Sequence, residues 1–214
     1  MASEVKMSER LQMREGPLFE DPFAWFKQWF EYAMEHAAEA HACVLSTVAS
    51  DGQPSSRVVY MKEWDERGFV WYTNLTSQKG REALGAGKGA MNFFWRELRE
   101  QIRIAGEIEQ VSDVQADAYF ASRERGSQLG AWASEQSAPL KDRATLLRRL
   151  EELEARFEGR DVPRPPHWSG LRLVPARIEF WRAGEHRLHD RFLFERELRA
   201  GAPSSSWTIT RLNP

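Results

Sequence analysis

Arg187, His189 and Arg191 form the first of three groups in the sequence that could bind an anion. They alternate along a stretch with the pattern of a β-strand, so their side chains would lie together on one face. Three potential cations in a row repel one another unless an acid or a bound anion lies between them. Taken alone, the run is better explained as an exposed edge strand, on which charges prevent pairing with another chain.

The second group consists of Tyr119, Arg123 and Ser127. Tyr119 and Arg123 are four residues apart on a predicted helix and share one of its faces, and Ser127 would follow just beyond the helix end. A phenol, a guanidinium and a hydroxyl can together hold a phosphate. A solvated helix face followed by a polar loop would explain the same residues without a ligand.

The third group combines Arg57 and Lys62, on one predicted strand, with Lys79 near the start of a short helix. The free N–H groups of a helix N-terminus attract anions. Strict alternation would place Arg57 and Lys62 on opposite sides of the strand. They could serve one site only if the strand bulges or the ligand straddles its end.

Other reactive motifs are absent or weak. His186 and His189 would point to opposite faces of a strand, and no His or Cys spacing indicates a metal site. The glycine-rich stretch 85–89 precedes a strand and lacks the phosphate-loop spacing, so it predicts a turn. Cys43, the single cysteine, lies in an apolar strand and is predicted to be a core residue, and its lack of a partner favours a reducing compartment.

The elements that must position these groups are short strands linked by turns. Strands are predicted at 43–49, 56–62, 69–73, 90–95, 101–111, 171–181, 188–195 and 207–212. Helices are predicted at 21–41, from 77 onward, at 112–123 and at 141–157. Because strands and helices do not alternate regularly, we expect a mainly β, α+β fold, an antiparallel barrel or sheet with surrounding helices. A short flexible N-terminal arm, 1–20, would precede a single domain, 21–214.

Composition excludes several classes of function. The 214 residues include 30 Lys and Arg against 32 Asp and Glu, which argues against a general binder of nucleic acid or anionic membranes. No stretch approaches the roughly 20 apolar residues of a membrane helix, and the start lacks the apolar run of a signal peptide, so we expect a cytoplasmic protein. Nine tryptophans predict aromatic packing, a subunit interface or a pocket for a flat ligand.

Taken together, these stretches resemble the pyridoxine (pyridoxamine) 5′-phosphate oxidase family of flavin enzymes. The resemblance covers about residues 40–214 and follows the family's order. The matching segments are 57–62, 72–74, 77–79, 101, 119–137, 163–168, 178–181 and 187–191. It implies an antiparallel split β-barrel that is active as a homodimer, with FMN bound at the subunit interface.

The resemblance also implies a set of FMN contacts. These residues are Arg57, Val58, Val59, Tyr60, Met61, Lys62, Tyr72, Thr73, Gln78, Lys79, Gln101, Gln136, Ser137, Trp181 and Arg191. Position 78 is a departure, because the family usually has an arginine where this chain has Gln78.

For the substrate, the resemblance implies that Lys62, Tyr119, Arg123 and Ser127 hold a phosphate. Arg187 and His189 would lie over the pyridine ring, beside the reacting carbon, as the catalytic pair. Arg14 is a further substrate candidate, in a short arm that lacks the family's tyrosine.

The implied reaction is hydride transfer from C4′ of pyridoxine 5′-phosphate or pyridoxamine 5′-phosphate to flavin N5, giving pyridoxal 5′-phosphate. Oxygen would then reoxidise the flavin and form hydrogen peroxide. Two alternatives stay open. One is a related split-barrel flavin oxidase that acts on another substrate, such as a phenazine precursor. The other is a non-catalytic carrier of flavin or pyridoxal phosphate.

Overall fold

The computed structural model describes residues 16–198 and 206–214, so the candidate Arg14 and most of the N-terminal arm lie outside the described residues. The helices among the described residues are α1 (Pro22–His36), α2 (Gln78–Ala86), α3 (Asp113–Ala121), α4 (Arg125–Ala133) and α5 (Arg143–Arg156). The first strands are β1 (Ala42–Val48), β2 (Pro54–Tyr60), β3 (Glu63–Asp65), β4 (Gly68–Asn74) and β5 (Lys88–Trp95). The remaining strands are β6 (Glu100–Gln110), β7 (Trp168–Arg182), β8 (Asp190–Glu195) and β9 (Thr208–Arg211).

These strands form one antiparallel sheet in the order β2-β1-β5-β6-β7-β4-β3, with β8 added to β7 and β9 to β8. The long strand β7 pairs with β4 along its first half and with β8 along its second. A register shift at Ala105/Gly106 interrupts its pairing with β6. A Cβ at Gly106 would lie 1.9 Å from the Val174 carbonyl oxygen, so only glycine is accommodated there. Such a bulge bends a sheet, and it lets this one curl into the half-barrel expected for the fold class.

Helix α1 supplies the centre of the core. Asp21 caps its first turn by accepting the Phe23 N–H at 3.0 Å, and Pro22 occupies the first helical position. The Trp25 ring is fully buried and stacks on Phe180 of β7, with centroids 4.5 Å apart. Trp29 crosses the Trp25 ring edge-on at 6.0 Å. Several of the tryptophans therefore serve packing, as their number predicted.

The opposite face of the sheet exposes apolar side chains where β1, β2 and β5 lie. Residues alternate strictly along β1 and β5, so that Leu45 and Phe93 are buried while Val44 and Phe94 face outward. Val58 on β2 is 65% exposed and Phe94 is 56% exposed. Val44 and Val58 are register partners, and exposed apolar side chains grouped in this way are typical of an interaction face.

Several predicted boundaries were wrong. Helix α1 ends at His36 rather than 41, because Ala37 already has extended backbone angles. The predicted helix at 112–123 ends at Ala121. A separate helix, α4, follows it, and Ser127 lies in the first turn of α4 rather than in a loop. The short strand β3 was not predicted.

The expectation that Arg187, His189 and Arg191 share one face of a strand was also wrong. Strands β7 and β8 pair as far as Arg182 and Asp190, so the intervening residues must form the turn of this hairpin. Arg187 lies there in a short 3-10 turn with a φ of +64°, and only Arg191 is on a strand. The opposite-face argument for His186 and His189 fails for the same reason.

The expectations for Cys43 and for the stretch 85–89 were confirmed. Cys43 is buried, and burial raises the pKa of its thiol to about 12, as suits a core residue rather than a nucleophile. Stretch 85–89 holds the end of α2 and its left-handed cap at Gly87. Among the residues that the structure describes, no helix has the length and apolar character needed to cross a membrane.

We predict that Trp25→Ala lowers the free energy of unfolding by about 3–5 kcal/mol, because it leaves a cavity against Phe180. Urea unfolding followed by circular dichroism measures the change. Val114→Ala is the control, since Val114 is 81% exposed and its truncation should have almost no effect. A loss below about 1 kcal/mol for Trp25→Ala would show that α1 does not anchor the core.

Candidate functional site

A cavity of about 470 Å³ lies between β4 and the helices α3 and α4. Its lining residues are Val59, Tyr60, Lys62, Tyr72, Thr73, Asn74, Lys79, Tyr119, Arg123, Ser127, Gly130, Ala131, Ser134, Gln136 and Trp168. All four residues expected to hold a substrate phosphate are among them. The cavity has the size and the mixture of aromatic and polar groups typical of a small-molecule site.

Lys62 reaches the cavity because β2 ends before it. The strand stops at Tyr60, and the Met61 and Lys62 N–H groups donate to the carbonyls of His41 and Val70 instead. Strict alternation therefore does not apply to Lys62. Arg57, within the strand, bonds to Thr47 and Ser55 and does not line the cavity.

Three nearly parallel aromatic rings form one wall of the cavity. Tyr72 stacks on Tyr119 with centroids 3.8 Å apart and an interplanar angle of 8°. Trp168 lies 5.3 Å from Tyr72 at an angle of 11°. The Arg123 guanidinium lies over the Trp168 ring at 4.9 Å, a cation–π contact that holds it at the cavity edge.

Arg123 gives the clearest indication that the cavity binds a ligand. Its Nη1 atom is buried and has no hydrogen-bond partner, and burial lowers the pKa of the guanidinium. Ser127 lies nearby in chain order, in the first turn of α4, whose cap residue Glu124 makes no side-chain capping bond. An anion in the cavity would satisfy both the guanidinium and a helix N-terminus.

A second basic group surrounds the N-terminus of α2. Lys79 Nζ donates to Gln136 Oε1 at 2.8 Å, and its pKa is lowered by burial and by the nearby charge of Arg57. The backbone N–H of Gln78 donates to Ser137 Oγ at 3.2 Å. The predicted pair at 136–137 is therefore tied to the start of α2.

Arg57 and Gln78 both contact the carboxylate of Glu82, whose side chain is only 8% exposed. Arg57 Nη2 lies 3.4 Å from Glu82 Oε2, and Gln78 Nε2 donates to Oε1 at 2.8 Å. Hydroxyl donors Ser55 and Thr47 complete the set at 2.5 Å each. These bonds, with the Arg57 charge, lower the pKa of Glu82 to about 2.

A third set of expected contacts lies away from this cavity. Gln101, Trp181 and Arg191 are register partners across β6, β7 and β8, so they form one row on the outer face of the sheet. Arg191 Nε donates to the buried carboxylate of Glu179 at 2.8 Å. His189 packs against Trp181 with centroids 4.7 Å apart.

Within one chain, the expected site residues therefore lie in separate regions: the cavity, the start of α2 and the outer face of the sheet. Arg187 and His189 do not line the cavity. Val58 is exposed on the outer face, and Met61 is buried in the core.

Sequence reasoning missed Asn74, Ser134 and the wall residue Trp168. All three residues stand within segments that carry the resemblance, 72–74, 119–137 and 163–168, which was the available signal. Among the described residues, no group of three or more His, Cys, Asp and Glu side chains could hold a metal ion.

Comparison with known proteins identifies relatives over nearly the whole chain. A family described as "Pyridoxamine 5′-phosphate oxidase" matches residues 31–157. A second, described as "Pyridoxine 5′-phosphate oxidase C-terminal dimerisation region", matches residues 168–214.

Two curated relatives bear the name pyridoxine/pyridoxamine 5′-phosphate oxidase. The protein of Myxococcus xanthus (strain DK1622) is 54% identical over 178 residues, which are 83% of this chain and 86% of the relative. That of Rubrobacter xylanophilus is 51% identical over 195 residues, 91% of this chain and 87% of the relative.

Two solved structures share the fold. PhzG from Burkholderia lata 383, in complex with tetrahydrophenazine-1-carboxylic acid, has a TM-score of 0.84 and 35% identity, covering 95% of this chain and 96% of that one. A pyridoxamine 5′-phosphate oxidase-related, FMN binding protein from Nostoc punctiforme PCC 73102 has a TM-score of 0.66, covering 86% and 94%. At 17% identity, the second similarity shows the fold alone.

We predict that Glu82→Gln flattens the loss of stability in acid. The folded pKa of Glu82 is about 2 against an ordinary value of 4.5, so its contribution is present above about pH 4.5 and is lost as the pH falls toward 2. Between pH 5 and pH 3, the free energy of unfolding should fall by about 2 kcal/mol more in the native protein than in the variant. Urea midpoints at the two pH values measure this. Glu154→Gln, at an exposed carboxyl on α5, should behave as the native protein does, and equal losses for all three proteins would contradict the prediction.

Proposed function

The chain belongs to the pyridoxamine 5′-phosphate oxidase family, and we propose that it oxidises pyridoxine 5′-phosphate and pyridoxamine 5′-phosphate to pyridoxal 5′-phosphate with FMN. The observation that supports this most strongly is the meeting of Lys62, Tyr119, Arg123 and Ser127 in one cavity, where the buried Nη1 of Arg123 lacks a partner. A phosphate monoester supplies the acceptor oxygens that these donors require.

The substrate phosphate would bind between Arg123 and Lys62. Arg123 would donate through Nη1, while Tyr119 and Ser127 offer hydroxyls to the remaining oxygens. Burial raises the pKa of Tyr119, which keeps its hydroxyl protonated and able to donate. The parallel rings of the wall offer a flat surface on which the pyridine ring of the substrate could lie. With the substrate phosphate held between Arg123 and Lys62, this contact would orient the pyridine ring.

FMN suits the second basic group. Its phosphate would lie at the N-terminus of α2, near Lys79, Arg57 and Ser137, where the lowered pKa of Lys79 reports a buried cation beside another. When bound, FMN would supply the acceptor for the hydride from C4′ of the substrate, and oxygen would take up the two electrons with two protons to form hydrogen peroxide. The chain's own residues bind, orient and desolvate the reactants.

A second copy of the chain would complete the site. The row formed by Gln101, Trp181 and Arg191 lies on the outer face of the sheet, away from the cavity of its own chain. Val58 and Phe94 are apolar residues exposed on the same face, and segment 168–214 matches a family described as a dimerisation region. We propose a homodimer in which this row faces FMN bound to the partner.

Arg187 and His189 would then reach the substrate ring from the hairpin turn. The Gly184 N–H donates to His189 Nδ1 at 3.2 Å. A neutral His189 ring must therefore carry its proton on Nε2. That N–H, with the Arg187 guanidinium, would donate to polar atoms of the ring and orient C4′.

The two alternatives make different demands on this site. A phenazine-precursor oxidase, suggested by the similarity to PhzG from Burkholderia lata 383, needs no phosphate-binding group at Arg123. A carrier would bind the same ligands without turnover.

Purified protein supplied with FMN and pyridoxine 5′-phosphate in air should form pyridoxal 5′-phosphate and peroxide in equal amounts. Bound flavin with no product would support the carrier instead.

We predict that Arg123→Ala raises the KM for pyridoxine 5′-phosphate about 10- to 100-fold, since it removes a charged hydrogen-bond donor from the phosphate. The FMN content of the purified variant should equal that of the native protein, because Arg123 lies outside the basic group at α2. Steady-state kinetics and flavin absorbance measure the two effects. Arg143→Ala, which removes an exposed cation at the start of α5, serves as the control. An unchanged KM for Arg123→Ala would count against a phosphorylated substrate.

A further inference from the structure

A chain of hydrogen bonds behind the aromatic wall connects it to a buried arginine. The Tyr72 hydroxyl donates to Glu63 Oε1 at 2.6 Å, and Gln115 Nε2 donates to Glu63 Oε2 at 2.6 Å. Arg172 Nη2 in turn donates to Gln115 Oε1 at 3.4 Å. Both oxygens of the Glu63 carboxylate are therefore engaged, one by the cavity wall and one by helix α3.

The far end of this chain is rigid. The Arg172 side chain is only 3% exposed and pairs with Asp65 at 2.7 Å and with Glu109 at 3.5 Å. These partners lie on β3 and β6, while Arg172 itself is on β7. A buried and fully paired guanidinium resists displacement, because leaving either charge unpaired would be costly. Gln115 and Glu63 are thus attached to the centre of the sheet.

The Tyr72 ring is confined on its other sides as well. Tyr72 pairs with Gly170 on β7, and a Cβ there would lie 2.7 Å from the ring atom Cε1. Tyr119 stacks on the ring at 3.8 Å. Burial and the bond to Glu63 raise the pKa of the Tyr72 hydroxyl, so it remains a donor. The remaining movement open to the Tyr72 ring is a shift within its own plane. The hydrogen bond from its hydroxyl to Glu63 restricts that shift.

We propose that Glu63 is a positioning residue for the substrate phosphate, acting through Tyr72. By holding the hydroxyl, it fixes the ring against which Tyr119 stacks, and it thereby sets the place of the Tyr119 hydroxyl in the cavity. Trp168, parallel to the same rings, supports the Arg123 guanidinium. The proposal rests on the proposed function, since it names the phosphate subsite of that reaction.

The test compares Glu63→Ala, Tyr72→Phe and the double variant, each loaded with FMN. Each single substitution should raise the KM for pyridoxine 5′-phosphate about tenfold and leave kcat within about twofold, since the loss is one of preorganised binding. The double variant should match the single variants within about twofold, because both substitutions break the same bond. Glu63→Gln keeps an oxygen that accepts from Tyr72, but its amide nitrogen replaces the oxygen that accepts from Gln115, so it should recover the affinity only in part.

Glu66→Ala provides the matched control, since Glu66 is an exposed acid in the turn after β3. It should have native kinetics. An unchanged KM for Glu63→Ala, or a double variant whose effect is the product of the single effects, would overturn the proposal. If Glu63→Ala does not fold, Tyr72→Phe takes its place in the comparison with the native protein, because it removes only the hydroxyl oxygen that donates to Glu63.

A readout without turnover separates this proposal from the proposed function. In the FMN-loaded proteins, inorganic phosphate should raise the Tm, and the same rise in Tm should need about tenfold more phosphate in Glu63→Ala than in the native protein. If the native protein makes no pyridoxal 5′-phosphate, the proposed function fails, while this ratio still decides the role of Glu63. Equal phosphate requirements in the two proteins would overturn it.

Discussion

The half-buried guanidinium of Arg123, whose Nη1 atom is fully buried, is the constraint on which the site depends. A cation removed from water is costly unless it is paired, and here the structure supplies ring faces but no acceptor for Nη1. The break between α3 and α4 places this group at the cavity, and the aromatic wall keeps it there. An anionic ligand is the partner that makes the arrangement favourable.

The fold explains how two groups of cations, the proposed anion sites, can exist in a protein with a net charge of only −2. Each lies where a helix begins beside the sheet, and each combines a few cations with backbone N–H groups. Neighbouring acids balance some of the protein's cations, as Glu82 does for Arg57 and as Glu179 does for Arg191 in the outer row. The local placement of the cations, rather than the total charge, supports the proposed binding of anions.

Much of the fold and of the candidate site could be predicted from the sequence. Alternating apolar residues indicated the strands, and the quoted segments indicated the family and the cavity residues Lys62, Arg123 and Ser127. The short helix α4 was missed, because nine residues with two glycines give a weak helical pattern. The turn at Arg187 was read as strand, because its alternating charges imitate strand periodicity.

The link from Glu63 to Tyr72 could not be predicted in the same way. It depends on β3 folding back on β4 and on Gln115 arriving from a helix 52 residues further along the chain. Contacts of that kind follow from tertiary packing, and no local pattern reports them.

The central claim is that the cavity recognises a phosphate group on a flat pyridine ring. The most direct measurement is the ratio of kcat/KM for pyridoxine 5′-phosphate to that for unphosphorylated pyridoxine, with FMN-loaded native protein. Loss of the charged contacts to Arg123 and Lys62 predicts a preference of at least about 100-fold for the phosphorylated compound. Equal values for the two compounds would contradict the account.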